Sequence, residues 1–359
     1  MMHRRQFQLA LASLLAGSGM AAKAAEFAPV RPGQRLVFPA DHGAHPQFRT
    51  EWWYVTGWLN RTDGSALGFQ STFFRVRTGI GEDNASAFAP SQLIMAHAAI
   101  ADPQLGRLRH DQRVARAGFG RAGFAAEQTR VWIGDWRLEQ EGDAYHAAVQ
   151  GRDFAYSLSL LPKGPLMLNG TEGFSVKGPD PRDASYYYSR PQLAVSGTVT
   201  LSGQPENVTG RAWLDHEWSS SLLPQGAQGW DWVGLNLDDG SALMAFRMRD
   251  VQGQPIWSAA TISLVTGNTH TLVRGDVAFE PIRYWTSTRT GFTYPVEWSL
   301  RIGQRRLHLS AMLDDQELDS RRTTGAVYWE GAVRVLEGKA EIGRGYLELT
   351  GYGEKIRAG

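Results

Sequence analysis

Cysteine is absent from the 359 residues. That excludes a disulfide scaffold, a cysteine–zinc site, a thiol nucleophile and a lipidated N-terminal cysteine. An excess of one charge is also lacking: 37 Lys and Arg stand against 36 Asp and Glu, a formal net charge of +1. Phosphate recognition needs a clustered basic face, so no nucleic-acid or anionic-membrane surface is expected. Helical periodicity is scarce, confined to 90–98 and a few short turns. Beyond the N-terminus no apolar run is long enough to span a bilayer. Tryptophan (13) and glycine (40) are abundant, which suits tight β-turns around large apolar interiors better than helical bundles. The length predicts two or three domains with proper cores.

Residues 1–24 read as a targeting segment. Arg4 and Arg5 precede the apolar stretch 9–16, and Ala22-Lys23-Ala24 offers small side chains at a signal-peptidase site. Arg4-Arg5-Gln6-Phe7 resembles a twin-arginine export signal, with a plain secretory signal as the alternative. Cleavage after Ala24 leaves a net charge of −2, and the mature protein is expected to be soluble in the periplasm or secreted.

The stretch 54–67 has a counterpart 176 residues later, at 230–243. Leu-Asn and the whole of Asp-Gly-Ser-Ala-Leu match without a gap, and Asp-Gly between alternating segments signals a β-hairpin. A second correspondence closes each unit. Tyr188-Ser189-Arg190, 193–197 and 210–214 parallel Tyr328-Trp329-Glu330-Gly331, 332–335 and 345–352. Unit one then spans 36–222 and unit two 223–359. Short alternating strands such as 68–76, 156–160, 298–302, 306–309 and 346–349 lie between, separated by turn residues. Barrels of about eight strands protect such edges and hold one small ligand. The expected fold is all-β: two antiparallel barrels packed together.

Chemistry-bearing residues gather at the two ends of unit one, in Asp41-His42-Gly43-Ala44-His45-Pro46, Glu51-Trp52-Trp53-Tyr54 and Trp213-Leu214-Asp215-His216-Glu217-Trp218. On a strand, Trp52, Tyr54 and Trp58 share one face, and Glu51, Trp53, Val55 and Leu59 the other. Likewise Leu214, His216 and Trp218 oppose Trp213, Asp215 and Glu217. Acids beside indoles in a dry lining have raised pKa values and can act as general acids, and aromatic faces can stabilise a cation. Unit two closes with Leu349-Thr350-Gly351-Tyr352, so the excess of ionisable groups in unit one is expected to serve a site held by that copy. Bland readings compete with this one: a solvated strand end pairing Asp215 with an arginine, or turn chemistry at His42 and His45. His42 and His45 with His216 and a carboxylate could also ligate a metal, though no local motif demands it. No Gly-x-Ser-x-Gly elbow is present. His97, His110, His146, His270 and His308 stand alone, and the Tyr186–Arg190 run fits a pocket wall or a buried strand.

Taken together, Asp41-His42-Gly43 with His45-Pro46, Glu51-Trp52-Trp53-Tyr54, Tyr187-Tyr188-Ser189, 213–218 and 345–352 resemble the AttH / carotenoid 1,2-hydratase family, over nearly all the mature chain. The resemblance implies a pair of lipocalin-like (calycin) barrels. It also implies cofactor-free addition of water to an isoprenoid C=C bond: an acid protonates the alkene, aromatic rings hold the cation and a base-held water captures it. Asp215, His216, Glu217 and Trp218 are then the catalytic candidates. Asp41, His42, His45, Glu51, Trp52 and Trp53 are candidates to meet the ligand, with Tyr54, Tyr188, Arg190, Trp230 and Trp232. Where the hydratases carry Tyr or Asp, the strand 245–249 has Arg247, a candidate for an acidic head group. Exported members often accompany an ABC exporter permease, so a non-catalytic carrier of a hydrophobic ligand is the alternative.

Overall fold

Short alternating segments bury an apolar face only by pairing edge to edge and curling. The computed structural model describes residues 26–353, apart from 87 and 222, and arranges these segments as two antiparallel sheets. The targeting segment 1–24 lies outside the described residues. Thirteen strands between Thr50 and Ser219 form the first sheet, and ten between Gly229 and Leu349 form the second. No α-helix occurs among the described residues.

Both sheets open with the same hairpin, Thr50–Arg61 to Ala66–Arg77 and Gly229–Leu237 to Ala242–Arg249. In each turn the aspartate side chain accepts from the serine two residues on. Asp63 Oδ1 takes the Ser65 amide at 2.9 Å and its hydroxyl at 2.6 Å, and Asp239 takes Ser241 at the same two distances. Gly64 and Gly240 follow at φ 85° and 86°, a left-handed geometry that costs glycine nothing. The closing hairpins also correspond, Ala184–Leu201 with Gln204–Ser219 and Val327–Glu337 with Ala340–Leu349. In each sheet the last strand pairs back onto the first. The outer ends of the first sheet approach where Arg107–Arg116 meets Ala122–Phe124 and Arg130–Ile133, so that barrel is nearly closed. The architecture is a double lipocalin-like fold.

Three apolar layers hold it together. Trp53, Phe73, Trp136 and Leu214 fill the first barrel, and Val233, Trp298, Trp329 and Leu347 the second. Tyr54, Trp58, Trp213, Trp232, Phe246 and Tyr346 fill the seam between them. Polar bridges cross the seam: Trp58 Nε1 donates to Gly345 O at 3.0 Å, Asn236 Nδ2 to Ala212 O at 3.0 Å, and Trp232 Nε1 to the Tyr187 hydroxyl at 3.0 Å.

Strands at the seam are therefore covered on both faces, which corrects one expectation. The stretch 90–98 is not helical but belongs to strand Gln92–Asp102. Ile94, Ala96, Ala98 and Ile100 face the first barrel core, while Ala99 and Ala101 pack beside Tyr328 of the second sheet. A strand buried on both sides reads as a continuous apolar run, which periodicity alone cannot separate from a helix.

Gly68 lies tight against the second sheet. A Cβ there would lie 2.8 Å from the Ala332 Cβ and 3.2 Å from the Tyr346 hydroxyl. Overpacking of this kind costs about 1–3 kcal/mol, so Gly68→Val is expected to lower the thermal midpoint by several degrees, read by circular dichroism. Gly64→Asn, at an exposed turn with open space around it, is expected to change it little.

Candidate functional site

Strand Gln204–Ser219 runs between Thr50–Arg61 and Ala184–Leu201, and its period-two alternation divides the candidate residues between two dry compartments. His216 and Trp218 face the first barrel with Glu51, Trp53 and Tyr188. Asp215 and Glu217 face the seam with Trp52, Tyr54 and Trp232. None of the four closing residues is solvated: exposures are 2% for Asp215, 0% for His216, 6% for Glu217 and 1% for Trp218.

On the barrel side the hydrogen bonds converge on Glu51. Glu51, 0% exposed, accepts at Oε1 from His45 Nδ1 and His216 Nε2, both at 2.8 Å. At Oε2 it accepts from Arg75 Nε at 2.8 Å and from the His45 amide at 2.9 Å. Burial alone would raise its pKa, but the His216 and His45 hydrogen bonds and the Arg75 charge hold it well below the usual carboxylate range. The ring of His45 also reaches Asp41 Oδ1 through Nε2 at 3.1 Å. Both its nitrogens face carboxylates, so both donate and the ring is an imidazolium. Burial pulls its pKa down, but the bonds to Asp41 and Glu51 outweigh that and raise it. The ring lies flat on Trp218, centroids 3.7 Å apart and planes within 6°, a favourable setting for a cation.

The proton positions follow along the chain of contacts. His216 gives Nε2–H to Glu51, and burial lowers its pKa, so its Nδ1 is a lone pair. The Tyr188 hydroxyl, 3.1 Å away, donates to it and accepts from His42 Nδ1–H at 2.9 Å. Burial and then the Arg190 charge lower the His42 pKa to about 4, so its Nε2 is also unprotonated.

His45, Glu51 and His216 bring their ligating atoms within 4.8 Å of one another. The donor types suit a divalent cation. Four donors already occupy Glu51, however, one of them the fixed charge of Arg75, so the set is built to hold protons.

On the seam side, Asp215 Oδ1 accepts from Ser189 Oγ and from Trp213 Nε1, both at 2.6 Å, and Tyr187 stands beside the carboxyl. Burial pushes its pKa up to about 7 against those hydrogen bonds. Among the described residues no arginine pairs with it. Glu217 pairs instead with Lys177, whose ammonium lies 4.9 Å from the centre of the Trp52 ring.

Two residues the sequence did not single out complete the seam. Glu330 and Glu348 are direct cross-strand partners. Burial pushes Glu330 up to about 8 beside the Tyr54 and Tyr328 phenols. Burial, and then the Glu330 charge, raise Glu348 well above the usual range, with Trp230 hydrogen-bonded to it and Asp215 and Glu217 close enough to add to the effect. The second copy thus supplies acids to the seam, correcting the expectation that ionisable groups belong to the first copy alone. Their signal was the alternation in 346–349, which places Glu348 on the face opposite Leu347. At one end of the seam a pocket of about 510 Å³ opens, lined by Thr56, Trp58, Arg211, Trp213, Asn236 and Arg344 among others. Trp213, which forms part of its wall, is one of the donors to Asp215.

Arg247 joins neither group. It lies against Trp298 inside the second barrel, its Nε 2.5 Å from Asp231 Oδ2 and its Nη1 bonded to Phe279 O. It shares the Asp231 carboxylate with Arg249, away from the residues gathered around Glu51 and Asp215.

The family described as AttH-like matches residues 29–352. The structure is similar to that of a candidate AttH protein from Nitrosomonas europaea, with 50% identity, a TM-score of 0.85, and 91% of this chain and 100% of that one covered. It also resembles kievitone hydratase from Nectria haematococca, at 15% identity and TM-score 0.68 over 91% and 96% of the two chains. CghA with Sch210972 aligns at 13% identity and TM-score 0.52, over 84% and 89%. No curated protein sequence matches the chain.

Two stability predictions follow from the compartments. Glu51→Ala strands the buried Arg75 charge and is expected to cost about 3–5 kcal/mol in urea denaturation. Because the Glu51 pKa is depressed on folding, its contribution is fully present above 4.5, its unperturbed value, and is lost as pH falls below it. The seam acids act oppositely: their pKa values are raised, so the folded state keeps protons that the unfolded chain releases. They subtract stability progressively as pH rises from 4.5, the unperturbed glutamate value, through about 8. Glu330→Gln is therefore expected to raise the melting temperature at pH 9 and leave it nearly unchanged at pH 4.

Proposed function

The chain belongs to the AttH-like family, and from that premise we propose that it is an exported, periplasmic hydro-lyase that adds water, without a cofactor, to a C=C bond of a hydrophobic, isoprenoid- or lipid-like ligand. The observation that carries this reading is Asp215, a carboxylic acid whose pKa is raised to about 7 among the indoles and phenols of the seam. A general acid works best with a pKa near the working pH. The kinship in fold with a protein named as a hydratase supports the same reading.

The chemistry balances without a redox partner. The Asp215 O–H bond breaks as a C–H bond forms at the less substituted alkene carbon. The resulting tertiary cation faces the rings of Trp213 and Trp232, whose negative π-faces stabilise it. Water then forms the C–O bond and returns its proton to the Asp215 carboxylate, so the acid is regenerated. Ser189 and Trp213 both donate to Oδ1, and the Tyr187 phenol is hydrogen-bonded to the same carboxyl, so three neighbours orient the acid. The pocket beside Trp58 and Trp213 offers the ligand a way to the seam.

Asp215→Asn keeps the shape and removes the acid. Loss of a general acid is expected to reduce hydration by about 10²–10⁴-fold, read by mass spectrometry as the gain of one water on terpenoid alkenes, with ligand affinity retained. The wild-type rate is expected to fall as pH rises through about 7, where Asp215 gives up its proton. Tight binding of an apolar ligand with no water gained would leave the carrier role instead.

A further inference from the structure

The first barrel holds a charge that its own residues leave unmatched. Arg190 stands where the pairing of strand Ala184–Leu201 slips, between Arg190 and Leu193, and bulges of this kind re-aim side chains. Its guanidinium is half-buried, and its side-chain contacts are the long one from Nη2 to His42 Nε2, at 3.5 Å, and one with the Tyr145 phenol. No carboxylate among the described residues pairs with it, and its Nε is buried without a partner. The Tyr145 hydroxyl, on a side chain that is 0% exposed, has Arg190 itself as its neighbour and is given no other hydrogen-bond partner among the described residues. Arg75, by contrast, is saturated by Glu51, Gln92 and two carbonyls. Leaving a guanidinium and a phenol with so few partners in a dry wall is costly unless a ligand completes them.

We propose that Arg190, Tyr145 and His42 form a binding site for the carboxylate of an amphipathic acid in the first barrel. A guanidinium fork matches a planar carboxylate, and the phenol supplies a further donor. One fixed positive charge balances one negative charge, whereas a phosphate would call for a second cation. The half-buried Phe38 ring, 4.7 Å from His42, offers apolar contact to the tail. The site lies on the face of strand Gln204–Ser219 opposite Asp215, so it stands whether or not the seam hydrates alkenes.

The test uses the full chain with histidine labelled at Cε1, followed by NMR at pH 7 with octanoate, octanol and inorganic phosphate as probes. Octanoate is expected to saturate, shift the His42 resonance and raise the His42 pKa from about 4, because the bound anion offsets the Arg190 charge. Octanol is expected to do neither. Arg190→Gln is expected to weaken octanoate by about tenfold or more, the scale of a charge-assisted hydrogen bond, and Tyr145→Phe by less, both checked for native circular dichroism. Should Arg190→Gln fail to fold, the wild-type preference for octanoate over octanol and its reduction in Tyr145→Phe decide. Equal binding of octanoate and octanol, or octanoate affinity unchanged in Arg190→Gln, overturns the proposal. Saturation by phosphate without octanoate overturns the carboxylate assignment.

Discussion

A strand covered on both faces must settle every charge it carries without help from water. Strand Gln204–Ser219 is covered in this way from Ala212 to its end, and there it and its neighbours settle their charges in three ways. Glu51 stays ionised because Arg75 and two imidazoles fill its lone pairs. Glu217 is held by Lys177 over the Trp52 ring. Asp215, Glu330 and Glu348 meet no cation among the described residues, and burial raises their pKa values so that they favour the protonated form. The first two solutions bind the architecture together; the third leaves acid hydrogens in a dry aromatic setting, where they are chemically useful. The price is stability, since each raised pKa opposes folding as the pH climbs.

What was legible in the sequence was local. The Asp-Gly turns at Asp63 and Asp239 were readable because one side chain and one glycine determine the geometry. The division of Glu51 and Trp53 from Trp52 and Tyr54 was readable because strand alternation is fixed by the backbone. Less legible was that the second face is dry as well, because that depends on a sheet whose residues lie more than a hundred positions away. The helical reading of 90–98 and the inconspicuousness of Glu330 and Glu348 have that same cause. Glu348 looks like an ordinary outward-facing strand residue until Trp232 and Glu330 flank it and the first sheet covers it.

The two copies have diverged in kind rather than in amount. At equivalent points of their closing strands, the first carries Trp213 and Asp215 and the second Glu348 and Thr350. An indole of the first copy stands where the second carries an acid, and an acid of the first where the second carries threonine. The barrel-side network from Asp41 to Arg190 has no such counterpart: Arg247 and Arg249 occupy the second interior with Asp231 between them.

The pairing of each sheet's last strand with its first has a topological consequence. Every unit starts and finishes at one place on its rim, so two of them can be strung head to tail by the brief connector 220–228 without threading or crossing. The junction falls beside the shared interface, and its shortness tethers the halves at high effective concentration. Assembly of the composite chamber is thereby an intramolecular event, set by the length of a leash rather than by the abundance of a partner.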